Sequence, residues 1–256
     1  MSVSQWLVVA TGLQYDRQWM LIDDKGQFLS QRVLPKMALI KTALNETQLI
    51  LSAPQQTPLV LPLQMAEGDI IKSVVWQDEC AAVHVSKQAD QWFSDFLGRS
   101  CRLVYLPQET VRSVDSNYAY ANDQVAFADA FPFLLIAQSS LTALNTAMSL
   151  SLEMRRFRPN LVVSGCESYA EDNWREIRIG DIDFRLPKPC SRCSVPTIDP
   201  DSAELGKEPL ATLNRLRRWQ NKVYFGQNAL HNQNGVLRVG DVVQITLTGE
   251  KQPPLD

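Results

Sequence analysis

Through the N-terminal part of the chain, apolar and polar positions alternate in short blocks. Apolar runs at residues 19–22, 37–40, 48–52, 58–63, 70–76 and 81–85 are parted by polar or proline-containing turns. They recur about every ten residues, the spacing of a β-sandwich or barrel and not of βαβ units. Residues 18–33 read as a hairpin that goes out through Trp19-Met20-Leu21-Ile22, turns at Asp23-Asp24-Lys25-Gly26 and returns through residues 27–33. One helix interrupts the strands. Ser86 caps residues 87–97, Ala89, Trp92, Phe93, Phe96 and Leu97 share one face, and Gly98 stops it. That aromatic stripe reads as core packing. Residues 101–106 resume as a strand and make Cys101 an inert buried thiol.

Residues 107–122 are polar and poor in large aliphatics, as suits a junction between domains spanning 1–106 and 107–249, with 250–256 as a polar tail. Residues 125–137 form a nearly continuous apolar run broken by Asp129 and Pro132, and a carboxylate in such surroundings needs partners. A short helix from Ser139 or Ser140 to Met148 and a strand at 161–164 follow. Arg178-Ile179-Gly180-Asp181-Ile182 and Arg238-Val239-Gly240-Asp241-Val242 each read as a tight hairpin. Between them, Ile182, Phe184 and Leu186 alternate with Asp183 and Arg185 as in a half-buried strand. Residues 209–218 form a helix with proline in its first turn, and Phe225-Gly226-Gln227-Asn228 precedes a further strand. The fold class is mostly β with a few short helices, an α+β arrangement.

Composition changes this picture little. The 256 residues, 45% hydrophobic and 21% charged, leave room for one large β-rich domain or two small ones. A net charge of −3 without a polybasic run gives no reason to expect nucleic acid, so an anionic ligand must be met by locally placed arginines. No apolar run approaches membrane-spanning length, and the N-terminus lacks the charged region of a secretory signal. The five cysteines (80, 101, 166, 190 and 193) do not resemble a disulfide framework, and a reducing cytoplasm is the expected compartment.

Chemistry concentrates at Pro187-Lys188-Pro189-Cys190-Ser191-Arg192-Cys193-Ser194-Val195-Pro196. The prolines stiffen the stretch into a loop that is not part of a helix or central strand, and cations beside two thiols favour the thiolate. Three readings are open. Zinc would need two further ligands, and Cys80, Cys101, Cys166, His84 and His231 are isolated. A redox dithiol would place its first cysteine at a helix N-terminus, whereas Pro196 and Asp199-Pro200-Asp201 follow here. A single thiolate on a soft metal, with arginines gripping an anionic cofactor, accounts for the cations as well. The chain has no glycine-rich dinucleotide fingerprint, no phosphate-cradling GxxxxGK[ST] and no HExxH.

Several motifs then occur together. They are Gly12-Leu13-Gln14-Tyr15-Asp16-Arg17-Gln18-Trp19-Met20, Phe127-Ala128-Asp129-Ala130-Phe131-Pro132-Phe133-Leu134, and Phe157-Arg158-Pro159-Asn160-Leu161-Val162-Val163. Pro189-Cys190-Ser191-Arg192-Cys193, Lys207-Glu208-Pro209-Leu210, Phe225-Gly226-Gln227-Asn228 and Val239-Gly240-Asp241 follow in order. With these the chain resembles MOSC-domain proteins that carry a β-barrel N-terminal domain, the family of the mitochondrial amidoxime-reducing component and bacterial N-hydroxylaminopurine-reducing relatives. The resemblance implies a MOSC β-barrel preceded by a smaller barrel, and a molybdenum–molybdopterin cofactor. It implies Cys193 as the metal's thiolate ligand, supported by Cys190. Arg17, Arg158, Asn160, Ser191, Arg192 and Asn228 fall at positions that hold the pterin and its phosphate, and Asp129 at an acidic position near the metal. The family's Tyr-Pro-x-Lys-Ser-type strand has no counterpart ahead of Gly12; the expectation is an upstream start or a truncated product with weaker cofactor binding.

What the resemblance implies as activity is reduction of N-hydroxylated compounds by a cytoplasmic molybdenum oxidoreductase. Without a C-x4-C-x2-C pattern for an iron–sulfur cluster, electrons must come from a separate donor, a ferredoxin-like protein or a flavin reductase. Two other classes stand beside it: a cofactor or sulfur carrier of the sulfurase type, with Cys193 as a persulfide, and a non-catalytic MOSC binding module.

Overall fold

In the computed structural model the apolar run at 125–137 resolves into a bend and the strand Phe133–Ala137, every residue of which is buried. Phe133, Leu135 and Ala137 enter one core cluster, while Leu134 and Ile136 enter another. A strand covered on both faces has no polar side to show, which is why its sequence is apolar without alternation. It pairs in parallel with Leu161–Val163, across the helix Gln138–Met148, and antiparallel with Lys222–His231. Beyond Lys222–His231 the seven-stranded sheet continues through Ile182–Ser191, Trp174–Ile179 and Val243–Thr248. At Gly226 (φ +81°) a Cβ would meet Ile136 Cγ1 at 2.6 Å and Leu135 O at 2.8 Å, so only glycine lets the two strands approach this closely.

The structure describes residues 3–64 and 68–255; Met1 and Asp256, the outer limits of the expected domain and tail spans, lie outside the described residues. The N-terminal half holds a four-stranded sheet of Trp19–Ile22, Arg102–Tyr105, Asp78–His84 and Ile70–Val75, and a three-stranded one of Lys41–Leu44, Gln48–Ser52 and Leu59–Pro62. The helix Lys87–Leu97 forms as its caps require: Ser86 Oγ accepts from Ala89 N at 3.1 Å, and Gly98 ends it at φ 69°. Its Trp92, Phe93, Phe96 and Leu97 pack on Leu49, Leu51, Leu59 and Leu61, with Cys101 2% exposed in the same cluster. Gln5–Val9 pairs with Gly12–Leu13 and with Gly235–Arg238, so the first strand lies against the last part of the chain. The fold is mostly β with short helices, the class the pattern implies.

Several local expectations change. Residues 27–33 do not return as a strand: Gln27 and Phe28 make single bridges to Val74 and Ile22, and Val33 N and Leu34 N then both donate to Ser30 O. The turn carries Arg32 towards the C-terminal half, a long-range contact that no local pattern encodes. Residues 37–40 fall mostly in the 3₁₀ turn Pro35–Leu39, because Pro35 presets helical φ and offers no ladder donor. The second Gly-Asp segment makes a local turn, with Arg238 N donating to Asp241 Oδ2 at 2.7 Å, but it is no hairpin. Its flanking strands find different partners, Gln5–Val9 for Gly235–Arg238 and Trp174–Ile179 for Val243–Thr248.

Residues 225–228 lie inside the strand Lys222–His231 and not ahead of it. The cysteine stretch is a loop only after Ser191. Its first residues end the strand Ile182–Ser191, with pairing shifts between Arg185 and Lys188 and between Pro189 and Ser191. Trp174–Ile179 stops pairing at Arg185, so Pro187 and Pro189 stand where that side of the ladder needs no donor. The tail is anchored: Gln252 N donates to Asp172 O at 2.9 Å, and Gln252 O accepts from Gln227 Nε2 at 3.0 Å.

Burial holds the His231 pKa below its ordinary value near 6.5, opposed by the Val9 backbone and Asp123 and aided by Arg185. A depressed histidine protonates first in the unfolded chain, so its contribution is full above about pH 6.5 and is lost as pH falls towards the folded-state pKa. The urea midpoint is expected to drop between pH 7.5 and 5.5, and His231→Gln to flatten part of that slope.

Candidate functional site

Cys193 lies just beyond the strand Ile182–Ser191, half-buried and free. The guanidinium of Arg32 lies near its side chain and donates through Nη2 to Asp129 Oδ2 at 2.8 Å. Burial alone would lower the Arg32 pKa, but Cys193 and Asp129 outweigh it and raise it above the ordinary value. Arg32 also stacks 4.4 Å over the Trp76 ring, and Trp76 Nε1 faces Asp129 Oδ1 at 3.4 Å. Asp129 has the partners the sequence called for, but not for the expected reason: its side chain is 63% exposed, turned outward by the bend before Phe133.

Beside this trio stands a cluster of arginines. Arg17 and Arg158 both occupy the left-handed region, at φ 54° and 56°, a strained conformation that the surroundings must enforce. Arg17 pairs with Asp16 and donates through Nη2 to Arg158 O at 3.3 Å. Arg155 pairs with Glu153 and Asp201, and Arg156 with Asp199. Arg158 alone in that run has no ion pair among the described residues. Its pKa is lowered by burial and then by Arg17, opposed by Asp16 and Asp129, with Arg192 adding to the depression. Its surface is nonetheless exposed, so the side chain is reached by water although protein crowds it. Uncompensated guanidinium groups at such a place suit an anion.

Arg192 donates to Phe157 O at 2.8 Å and to Cys190 Sγ at 3.3 Å, which ties the loop to the residue before Arg158. Its Nε is buried without a partner among the described residues. Lys188 is not beside the thiols as the sequence suggested: its ammonium lies 4.2 Å over the Tyr118 ring, because the pairing shift there re-aims it. Asn160 spends its side chain on the protein. Oδ1 accepts from Leu134 N at 3.0 Å and Nδ2 donates to Asp16 Oδ2 at 2.6 Å, so it reaches Arg17 through Asp16. Asn228 braces the thiol strand by donating to Pro189 O at 3.3 Å, and Ser191 is exposed at that strand's end. Neither has a described side-chain contact with Arg17 or Arg158.

Sequence reading missed Arg32 and Trp76, whose runs read only as strand, and Arg112 in the polar junction. Arg112 is 5% exposed and donates to Ala126 O at 2.8 Å, to Ala128 O at 2.5 Å and to Asp78 Oδ2 at 2.9 Å. An arginine amid residues otherwise poor in aliphatics was the available signal, but its partners are remote in sequence. A cleft of about 450 Å³ lined by Tyr118, Tyr120, Glu176, Arg185 and Pro187 holds none of the expected site residues.

The donor set bears on a cofactor. Among the described residues no three His, Cys, Asp or Glu side chains gather as a metal cluster. A metal at Cys193 would therefore take its other ligands from a bound group. An unpaired Arg158 flanked by Arg17, and an orphaned buried Nε on Arg192, fit the phosphate of such a group.

Comparison with known proteins finds two family matches. Residues 122–244 match the MOSC domain and residues 1–100 the MOSC N-terminal beta barrel domain. The mouse mitochondrial amidoxime-reducing component 1 is 36% identical over 263 residues, covering 96% of this chain and 77% of that protein. The human component 1 is 33% identical, covering 90% and 72%. A rice molybdenum cofactor sulfurase is 32% identical over 88% of this chain, which spans 30% of the sulfurase.

Two outcomes test the geometry. Arg158→Gly relieves left-handed strain of about 1–3 kcal/mol, so its melting temperature is expected to be no lower than the parent's. Its affinity for inorganic pyrophosphate, read by titration calorimetry, is expected to fall about tenfold. Arg112→Met strips two buried carbonyls of their donor, each worth about 1–3 kcal/mol, and is expected to lose about 3 kcal/mol or more in urea unfolding.

Proposed function

This chain belongs to the family in which a MOSC domain follows a MOSC N-terminal β-barrel, and from that premise we propose that it is a molybdenum-dependent oxidoreductase that reduces N-hydroxylated compounds. Hydroxylamines, amidoximes and N-hydroxylated bases are the substrate class. One observation carries the reading: Arg32, ion-paired to Asp129 at 2.8 Å, lies near Cys193, and the unpaired Arg158 lies near Asp129. The amidoxime-reducing relatives, matched over most of the chain, support the reaction type.

In this reading Cys193 is the metal's protein ligand. Arg17, Arg158 and Arg192 hold the cofactor phosphate, with Ser191 and Asn228 on the adjoining strands and Asn160 fixing Asp16. The bound molybdopterin supplies two-electron redox chemistry at molybdenum. An amidoxime takes up two electrons and two protons, its N–O bond breaks, and an amidine and water leave. Asp129, exposed and held by Arg32, or water hands a proton to the departing oxygen. Electrons come from a separate ferredoxin-like or flavin donor, and the five free cysteines suit a reducing cytoplasm. The rice sulfurase favours a second reading, in which a Cys193 persulfide carries sulfur to a molybdenum cofactor.

Protein purified from a molybdopterin-producing host is expected to contain near-stoichiometric molybdenum by elemental analysis, and Cys193→Ala to lose it. The parent is expected to reduce benzamidoxime with a chemical reductant. Protein without molybdenum defeats the proposal, and a Cys193 persulfide in protein that turns over no benzamidoxime favours the carrier.

A further inference from the structure

Besides Arg17, the N-terminal barrel sends two further side chains into the thiol site. Arg32 comes from the turn after Phe28, where the chain leaves the sheet. Trp76 comes from the tip of the hairpin between Ile70–Val75 and Asp78–His84. There it is held at φ 59° and is 47% exposed. A bulky residue in the left-handed region is a rare choice for a turn, since glycine or asparagine would form it without strain. An exposed indole is an equally poor choice for the tip of a hairpin facing water. Both oddities have the same explanation in Asp129.

Each oxygen of that carboxylate is met by one of the two residues. Arg32 Nη2 donates to Oδ2 at 2.8 Å, and Trp76 Nε1 faces Oδ1 at 3.4 Å. The guanidinium carbon of Arg32 in turn lies over the Trp76 ring, 4.4 Å from its centroid, and Phe28 packs against the same ring at 4.8 Å. The ring packs against the guanidinium, which also lies near Cys193. Without them Asp129 is an exposed carboxylate on a bend, free to take several rotamers.

We infer that Arg32 and Trp76 are positioning residues that hold the Asp129 carboxylate beside Cys193, so that the N-terminal barrel completes the site. The functional consequence rests on the proposed reduction, in which Asp129 delivers a proton. The geometry stands apart from it. Removing either partner loosens the proton donor and lowers kcat, while substrate affinity, and so KM, is left nearly as it was.

The test uses the whole chain, first metal-free. Of the six tryptophan indole N–H resonances, the one missing in Trp76→Phe identifies Trp76. That resonance is expected to shift in Asp129→Ala and in Arg32→Lys, a variant that keeps the charge but not the planar fork. In molybdenum-loaded protein, Arg32→Lys and Trp76→Phe are each expected to reduce benzamidoxime about tenfold more slowly in kcat, with KM within about twofold and molybdenum content unchanged. An indole resonance indifferent to Asp129→Ala overturns the inference, as does parental kcat in both loaded variants. If the parent turns over no amidoxime, the proposed reaction fails and the resonance measurement alone decides the positioning role.

Discussion

One buried cation makes the candidate site possible. Arg112, 5% exposed, holds the carbonyls of Ala126 and Ala128 on one side and the Asp78 carboxylate of the N-terminal hairpin on the other. A guanidinium with several donors in a fixed plane can do this, and a lysine could not satisfy the same set. Because the segment from Val125 to Pro132 forms no strand, its carbonyls have no ladder partners, and buried carbonyls need a donor from elsewhere. By supplying it, Arg112 defines the bend that turns Asp129 outward and ties that bend to the hairpin whose tip carries Trp76. The distance from Trp76 to Asp129 therefore depends on a residue that touches neither the thiol nor the arginine cluster.

The arginines divide by whether the protein has already neutralised them. Arg155 and Arg156 are paired with acids from the loop that follows the cysteines, and they hold that loop in place. Arg158, next but one along the chain, is left unpaired in a strained backbone conformation beside an equally strained Arg17. Strain and uncompensated charge both disfavour the folded state, and their coincidence at one place is why these arginines are candidates for holding an anion. Arg192 links this wall to the thiol loop through Phe157 O and Cys190. Cys190 thus has a partner in the clamp, and Cys193 faces the Arg32–Asp129 pair.

What was legible in the chain was local. The helix Lys87–Leu97 follows from a serine cap, an aromatic stripe and a glycine stop, all within one element. The apolar run that ends in the strand Phe133–Ala137 stands out although its pattern assigns no strand to it, and the thiol pair and arginine motifs could be named from their neighbours in sequence. The failures share a cause. Residues 27–33 and the turn at Gly240-Asp241 have the local signs of hairpins, yet their partners are chosen by Asp129 and by Gln5–Val9, far away in the chain. Lys188 was placed beside the cysteines by proximity in sequence, and a pairing shift in its strand sends it to Tyr118.

Local pattern was enough for the class of fold, for several of its strands and one capped helix, and for the residue types from which a thiol–arginine site could be made. These depend on hydrophobic periodicity, capping and turn chemistry, which act over a few residues. Tertiary structure alone decided which arginines were neutralised and which left open, and that Asp129 faces water and not the core. It also decided that Arg32 and Trp76 of the barrel meet Asp129 of the other half. Charge pairing and the aim of a side chain depend on distances through space, and no pattern along the chain contains those distances.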